Sequence, residues 1–192
     1  MRKMITVKIN GEERQYPQGA TYEDVANDYQ QEYENLIALA ARDGKIRELF
    51  KKLTRDCEVT FFTLKDDVGN KTYVRSATML FLKAVFDVCG REAAQSCRVE
   101  FAIGNGSYIS PKGKINATEE NAAKIRNRMR ELVEAKTPFL KRSYSLDNAM
   151  ELFRKEGMKD KEKLFRYRRG SFVNIYEMDG YYDYYYGYML PN

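Results

Sequence analysis

The chain has 192 residues, a formal net charge of +5 and no histidine. This length can bury the core of one domain or of two small ones. Because histidine is the commonest metal ligand and titrates near neutral pH, its absence excludes Ser-His-Asp and Cys-His catalysis and histidine metal pairs. No apolar run approaches the ~20 residues of a membrane span. The N-terminus, Met1-Arg2-Lys3-Met4, leads into alternating residues, so we expect a cytoplasmic protein with no membrane partner.

Positive charge is concentrated in residues 121–169, which hold 15 Lys or Arg against 7 Asp or Glu. Four cations lie on one side of a predicted helix there and are candidates for contacting phosphate or nucleic acid. They are Lys124, Arg126, Arg128 and Arg130. A solvated helix face is the alternative. The three cysteines form no CxxC pair, which indicates free thiols in a reducing compartment.

Residues 4–62 predict a compact β-grasp domain. Met4–Ile9 alternates like a half-buried strand, and Asn10-Gly11 is a hairpin signal before a return strand. Thr21 offers an N-cap for a helix that ends near Tyr29. Further strands are predicted at 36–42, 45–49 and 58–62. The charged segment 65–70 predicts a boundary, so we assign residues 1–66 and 71–192 to two domains.

The second domain is predicted to be α+β, with two long helices against an antiparallel sheet. Ser76 is the predicted cap of a buried apolar helix that ends near Val88. Two later helices are expected to begin at caps Asn116 and Ser145. The predicted strands are 97–103, 107–109, 172–176 and 181–186. Gly104-Asn105-Gly106 joins the first two as a simple turn.

The sequence contains few motifs that indicate a specific chemistry. No GxxxxGK[ST] phosphate loop is present. Seven tyrosines lie between Tyr176 and Tyr188. They would suit either base stacking beside the basic helices or packing within a sheet.

The order of elements resembles the N-terminal region of threonyl-tRNA synthetases. Met4 to Thr63, above all "MITVKINGEERQYPQGATYEDVA", resembles the ubiquitin-like β-grasp TGS domain. "PFLKRSYSLDNAMELF" and "DYYYGYMLPN" resemble two stretches of the following domain, which hydrolyses mischarged tRNA. The resemblance implies a TGS domain followed by an editing-like α+β domain over nearly the whole chain.

The resemblance also indicates at which positions of this chain the family has histidines. The family's R-H-S-x-x-H-L-L stretch aligns with residues 75–82, which places its two histidines at Ser76 and Leu80. The family's cysteine and last histidine align with Tyr185 and Met189. Leucine cannot bind a metal or carry a proton, and methionine is a poor ligand for a hard metal. We therefore expect no editing catalysis, no catalytic residue and no metal in this chain.

Two polar positions of the family pocket are kept, Lys161 and Asp183. They could hold a ligand or form a structural ion pair. The ligand-binding candidates that the resemblance implies are Lys161, Asp183, Tyr185, Tyr186, Arg75 and Ser76.

A second resemblance is to bacterial uridine kinase-like proteins of the phosphoribulokinase/uridine kinase family. It depends on Arg75-Ser76 in place of the family's Arg-His-Ser, and on the ending "NIYEMDGYYDYYYGYMLPN". It implies a kinase domain downstream, with ATP and magnesium as cofactors of the parent protein and none in this fragment.

Three functions follow as expectations. The first is a non-catalytic regulatory, ligand-binding or RNA-binding half of a uridine kinase, with tRNA or a nucleotide as partner. The second is a free-standing aminoacyl-tRNA deacylase that works without histidine. The third is a purely structural or oligomerising module.

Overall fold

The computed structural model describes residues 3–104, 106–112 and 115–192. Asn105 of the predicted turn lies outside these residues, and so do Met1 and Arg2 at the N-terminus. The chain forms two compact units. The first unit contains residues 1–77 and 186–191, and the second contains 78–185 and 192. The fold class is α+β, as predicted. The assignment to a TGS domain at 1–66 and an editing-like domain at 71–192 stays a prediction.

The first unit is built on a five-stranded mixed sheet in the order β2-β1-β5-β3-β4. The strands are β1 (Met4–Ile9), β2 (Glu12–Pro17), β3 (Ile37–Arg42), β4 (Lys45–Glu48) and β5 (Cys57–Thr63). Strands β1 and β5 are parallel, and the other neighbours are antiparallel. Strand β5 therefore lies between the β1–β2 and β3–β4 hairpins.

Helix α1 (Tyr22–Tyr29) covers one face of this sheet. Its capping box joins Thr21 and Asp24, each accepting a hydrogen bond from the other's backbone N–H. The start predicted from Thr21 is thus confirmed. A 3₁₀ turn (Gln30–Glu32) follows the helix. Tyr22, Val25 and Tyr29 pack with the alternating side chains of β1 in one buried cluster.

Strand β3 is buried on both faces, which explains its unbroken apolar sequence. Ile37 and Ala40 belong to the α1 cluster. Ala38 and Leu39 pack instead with Leu190 from the C-terminal segment of the same unit. A strand enclosed on both faces reads as a continuous hydrophobic run.

Helix α2 (Asp67–Cys89) begins nine residues before the predicted cap at Ser76. Ser76 therefore lies within the helix and not at its end. Gly69 and Asn70 had suggested a break in the chain, but a Cβ at Gly69 would collide with the carbonyl oxygen of Thr63. The glycine permits a close approach of two backbones inside the helix and does not end it.

The second unit contains the other elements. They are the C-terminal part of α2, α3 (Arg91–Ser96), β6 (Arg98–Ile103), β7 (Gly106–Ser110), α4 (Glu119–Glu134), β8 (Leu140–Ser145), α5 (Leu146–Lys155), α6 (Lys159–Arg166), β9 (Phe172–Met178) and β10 (Tyr181–Asp183). Strands β6 and β7 form a two-stranded hairpin, and β10-β9-β8 form a three-stranded antiparallel sheet.

Several boundaries differ from those expected. The cap of α4 is Thr118, whose side chain accepts from the Asn121 N–H, and not Asn116. The last strand ends at Asp183 and not at residue 186. Strand β8 and helices α3 and α6 were not predicted. The cap of α5 is Ser145, as predicted, since its side chain accepts from the Asn148 N–H.

Helices α5 and α6 pack on the three-stranded sheet. Phe153 and Phe165 lie 5.5 Å apart between ring centroids. They join Val173 and Ile175 of β9 in a buried cluster. In the residues that the structure describes, no helix combines the length and apolar character needed to cross a membrane.

Candidate functional site

The structure brings the two kept polar residues, Lys161 and Asp183, together in the second unit. Lys161 lies near the start of α6 and Asp183 ends β10. Lys161 Nζ lies 3.2 Å from Asp183 Oδ1, and the aspartate side chain is 5% exposed. The same carboxylate oxygen accepts a 2.7 Å hydrogen bond from the Tyr184 N–H. The pair is thus a buried ion pair with an added backbone donor.

Two tyrosines enclose this carboxylate. The Tyr185 ring meets that of Tyr176 edge-on, with 6.5 Å between the centroids. Tyr181 is 5% exposed. Burial, and then the negative charge of Asp183, raises the pKa of both phenols above the usual range. Both hydroxyls therefore stay protonated and cannot act as bases at neutral pH.

The charges of the pair shift each other's ionisation. Burial acts to lower the pKa of Lys161, but the carboxylates of Asp183 and Asp160 outweigh it, so that pKa is raised. Burial raises the pKa of Asp183 more than Lys161 and the Tyr184 N–H lower it. The lysine is consequently a fixed cation, which could bind an anion or orient a carbonyl but could not accept a proton.

Ser76 takes part in structural hydrogen bonds of the first unit. Its hydroxyl donates to the Thr72 carbonyl at 2.9 Å and accepts from the Leu190 N–H at 2.9 Å. Met189 is fully buried, with its sulfur 3.9 Å from the Ser76 oxygen. The Met189 N–H donates to the buried Glu48 carboxylate at 3.3 Å. These contacts attach the C-terminal segment to α2 and β4.

Arg75 strengthens the same attachment. Its guanidinium donates to the Tyr188 carbonyl at 2.6 Å. A Cβ on Gly187 would lie 2.5 Å from the guanidinium carbon, and Gly187 has φ 143°. Tyr186, the other aromatic candidate, is 87% exposed. In the first unit, Arg75 and Ser76 thus have structural partners and Tyr186 is open to solvent.

The four cations of α4 separate into two pairs. Lys124 lies 2.7 Å from Glu120. Arg128 contacts Asp87 at 2.8 Å and Glu131 at 3.0 Å. The charges of these two residues are thus already compensated by neighbouring carboxylates.

Arg126 and Arg130 form the second pair, and within the described part of the chain neither has a carboxylate at ion-pair distance. Both line a cavity of about 310 Å³. Its other lining residues are Leu80, Met129, Val133 and Glu134. The structure therefore places two exposed arginines beside Leu80.

A second cavity of about 530 Å³ shares Arg126. Its walls include Phe81 and Ile125, with Thr118 and Asn121 from the start of α4. Cys97 also lines it, and burial raises the pKa of that thiol to about 11. The thiol is therefore protonated at neutral pH and is a poor nucleophile.

Sequence reasoning missed one charged cluster in the second unit. Lys83 is 3% exposed, and its ammonium lies 2.7 Å from an Asp87 oxygen and 2.7 Å from the Asp179 carbonyl. Arg128 contacts the same Asp87 carboxylate. The sequence signal for this cluster was Lys83 four residues before Asp87, within the apolar stretch 79–88 of α2. The cluster joins α2, α4 and the β9–β10 turn. In the described ranges, no group of three or more His, Cys, Asp or Glu residues could hold a metal ion.

The chain is α+β, and its sequence is similar to part of threonine–tRNA ligases. A threonine–tRNA ligase of Thermotoga maritima is 28% identical over 186 residues, which cover 89% of this chain and 28% of the ligase. The ligase of Thermotoga neapolitana is 27% identical over 187 residues, covering 90% and 28%. That of Maricaulis maris is 27% identical over 191 residues, covering 98% and 29%. The chain spans less than a third of the length of these curated relatives, and no protein-family model matches it.

Proposed function

We propose that the chain is a synthetase-related module that binds RNA through an anion site on α4 and does not hydrolyse its ligand. The observation that carries the proposal is the position of Arg126 and Arg130, which flank Leu80 in one cavity without ion-pair partners in the described residues. Guanidinium groups bind phosphate through paired hydrogen bonds. The relatives are named for a reaction on tRNA, which makes RNA the favoured source of that phosphate.

The absence of hydrolysis is inferred from the side chains at the four replaced positions. Leu80 has no proton to exchange. The Ser76 hydroxyl already has a donor and an acceptor in the first unit. Met189 is buried, and the pKa of Tyr185 is raised by burial. General acid–base catalysis needs a group that changes protonation near the working pH, and none of these four does.

The test is a low-salt titration of threonine-specific tRNA with the wild type and the Arg126→Ala/Arg130→Ala double variant. Each charge-assisted hydrogen bond contributes about 1.5–3 kcal/mol, so we expect binding to weaken at least about tenfold. The matched control is Arg55→Ala/Arg154→Ala, which removes two exposed arginines that pair with carboxylates. Binding that is absent in the wild type, or weakened equally by the control, would refute the proposal.

The second candidate is an aminoacyl-tRNA deacylase, favoured by the similarity to threonine–tRNA ligases over most of this chain. Lys161 would then orient the ester, and substrate hydroxyls with water would supply the reaction. The assay is deacylation of mischarged threonine-specific tRNA. Turnover that disappears in Lys161→Ala while the fold is retained would establish this candidate in place of the first.

The downstream uridine kinase domain, with its ATP and magnesium, stays a prediction from the sequence resemblance alone. A purely oligomerising role and cytoplasmic location also stay predictions. Sedimentation of the purified chain separates the oligomerising role from the other two, because only that role requires a stable assembly without RNA.

A further inference from the structure

A different surface of the second unit combines positive charge with exposed aromatic rings. We call residues 163–172, "KLFRYRRGSF", the basic-aromatic strip. It has four cations and no acidic residue. Three of its apolar side chains are open to solvent, Leu164 at 50%, Tyr167 at 87% and Phe172 at 66% exposure. Exposed apolar side chains grouped among polar ones are a feature of interaction surfaces.

Packing of the adjoining elements fixes this strip in place. Phe165, on the opposite side of α6, is 1% exposed and belongs to the buried cluster. Val173, the residue after the strip, is also in that cluster. Arg168 lies over the Tyr184 ring at 5.4 Å and donates to its hydroxyl. Both ends of the strip are therefore anchored, and its rings point outward because the inward positions are filled.

Two of the strip's cations are available to a ligand. Arg166 lies 2.9 Å from Glu162, and Arg168 is held by Tyr184. Lys163 and Arg169 are exposed and have no hydrogen-bond or ion-pair partner among the described residues. The strip thus offers two free cations beside two exposed rings, Tyr167 and Phe172.

We propose that the basic-aromatic strip binds single-stranded RNA, with Tyr167 and Phe172 stacking on bases and Lys163 and Arg169 contacting phosphates. Exposed rings interleaved with cations bind single strands because every base has a stacking face and every linkage carries a negative charge. A lipid surface fits less well, since the apolar side of α6 faces inward through Phe165 and leaves no continuous apolar face to insert. The inference does not rest on the cavity beside Leu80.

The test is fluorescence anisotropy of a labelled single-stranded oligouridine with the whole chain. Because base stacking on a ring is lost in an alanine variant, Tyr167→Ala and Phe172→Ala should each weaken binding about fivefold or more. Both side chains are mostly exposed, so folding should be unaffected. Tyr73→Ala, which removes a 45% exposed ring of the first unit, is the matched control and should bind normally.

Charge is tested by the salt dependence of the same binding. Lys163→Ala/Arg169→Ala should reduce the slope of log affinity against log salt by about 0.7 for each lost phosphate contact. Lys155→Ala/Arg55→Ala removes the same two kinds of charge where each is paired with a carboxylate, and should leave the slope unchanged.

Three results would overturn the inference. They are no binding by the wild type at low salt, ring variants that bind like the wild type, and binding to anionic vesicles but not to oligouridine. An equal loss of oligouridine binding in Arg126→Ala/Arg130→Ala would assign the oligonucleotide to the α4 cavity and also reject the strip. The strip is supported only when its ring and charge variants lose binding and their matched controls do not.

Discussion

Replacing Ser76 by alanine should weaken the attachment of the C-terminal segment to helix α2. The hydroxyl is buried, and it is the acceptor for the Leu190 N–H at 2.9 Å. Alanine removes that acceptor without adding bulk. The amide of Leu190 is then left without its partner in a region where Leu190 itself is 8% exposed.

The size of the effect follows from two opposing contributions. A buried donor without an acceptor costs about 1–3 kcal/mol. Alanine is a better helix former than serine, which offsets about 0.5 kcal/mol within α2. We therefore expect a loss of about 0.5–2.5 kcal/mol in the free energy of unfolding. In a unit of roughly 60–100 residues each kcal/mol lowers Tm by about 4–8 °C.

Two measurements check this prediction together. Urea unfolding gives the loss in stability, and amide hydrogen exchange should show faster exchange at Leu190. The control is Ser143→Ala on β8, where the side chain is exposed. If Ser76→Ala keeps both the stability and the Leu190 protection of the wild type, the serine does not hold the segment. Its replacement of histidine would then need another explanation.

Three further predictions concern single residues. Lys83→Met should lower the free energy of unfolding by about 2–3 kcal/mol in urea. This is less than the cost of breaking a fully buried ion pair, because Arg128 still pairs with the Asp87 carboxylate. Unchanged stability would contradict this prediction. Gly187→Ala should lower the free energy of unfolding by about 1–3 kcal/mol in the same assay, since φ is 143° and the new Cβ would collide with the Arg75 guanidinium. Unchanged stability would mean that the C-terminal segment can shift without cost. Burial raises the pKa of Tyr181, so the folded chain keeps a proton that the unfolded chain releases near pH 10, and stability should fall as pH rises above about 10. Because exposed tyrosines such as Tyr186 ionise first, the tyrosinate absorbance of Tyr181 is measured as the difference between the wild type and Tyr181→Phe. That difference should rise together with the loss of circular dichroism, and an earlier rise would show that the phenol is exposed.

Local signals in the sequence were sufficient where the structure depends on neighbours in the chain. The capping box at Thr21 and the Asn10-Gly11 hairpin are set by residues three or fewer positions apart, and both are present. Strand β8, "LKRSYS", has little hydrophobic pattern and owes its form to pairing with β9 about 30 residues later. Gly69 looked like a break because glycine is a poor helix former, and its close approach to the Thr63 carbonyl cannot be read from residue type.

The candidate site likewise contains contacts that local sequence patterns could not predict. The Lys161–Asp183 contact joins residues that are distant in the chain, and only the resemblance to synthetases pointed to it. No residue pattern could separate Arg126 from Arg128, since both lie among similar cations on α4. The difference arises because Asp87 of α2 reaches Arg128, while Arg126 faces a cavity. Which cation is free to bind an anion is therefore a property of the packed helices.

Most polar groups that the resemblance to synthetases singles out have partners within their own unit. Loss of catalytic side chains alone would leave buried polar partners without contacts, which is costly. Here Lys161 and Asp183 pair with each other, and Ser76 binds the Leu190 amide. Leu80 borders a cavity with two free arginines. The resemblance aligns a family histidine with Leu80, but Ser76, Tyr185 and Met189 would still supply no group that changes protonation near neutral pH. A single Leu80→His change should therefore not produce hydrolysis, and the deacylation assay with mischarged tRNA can test that directly.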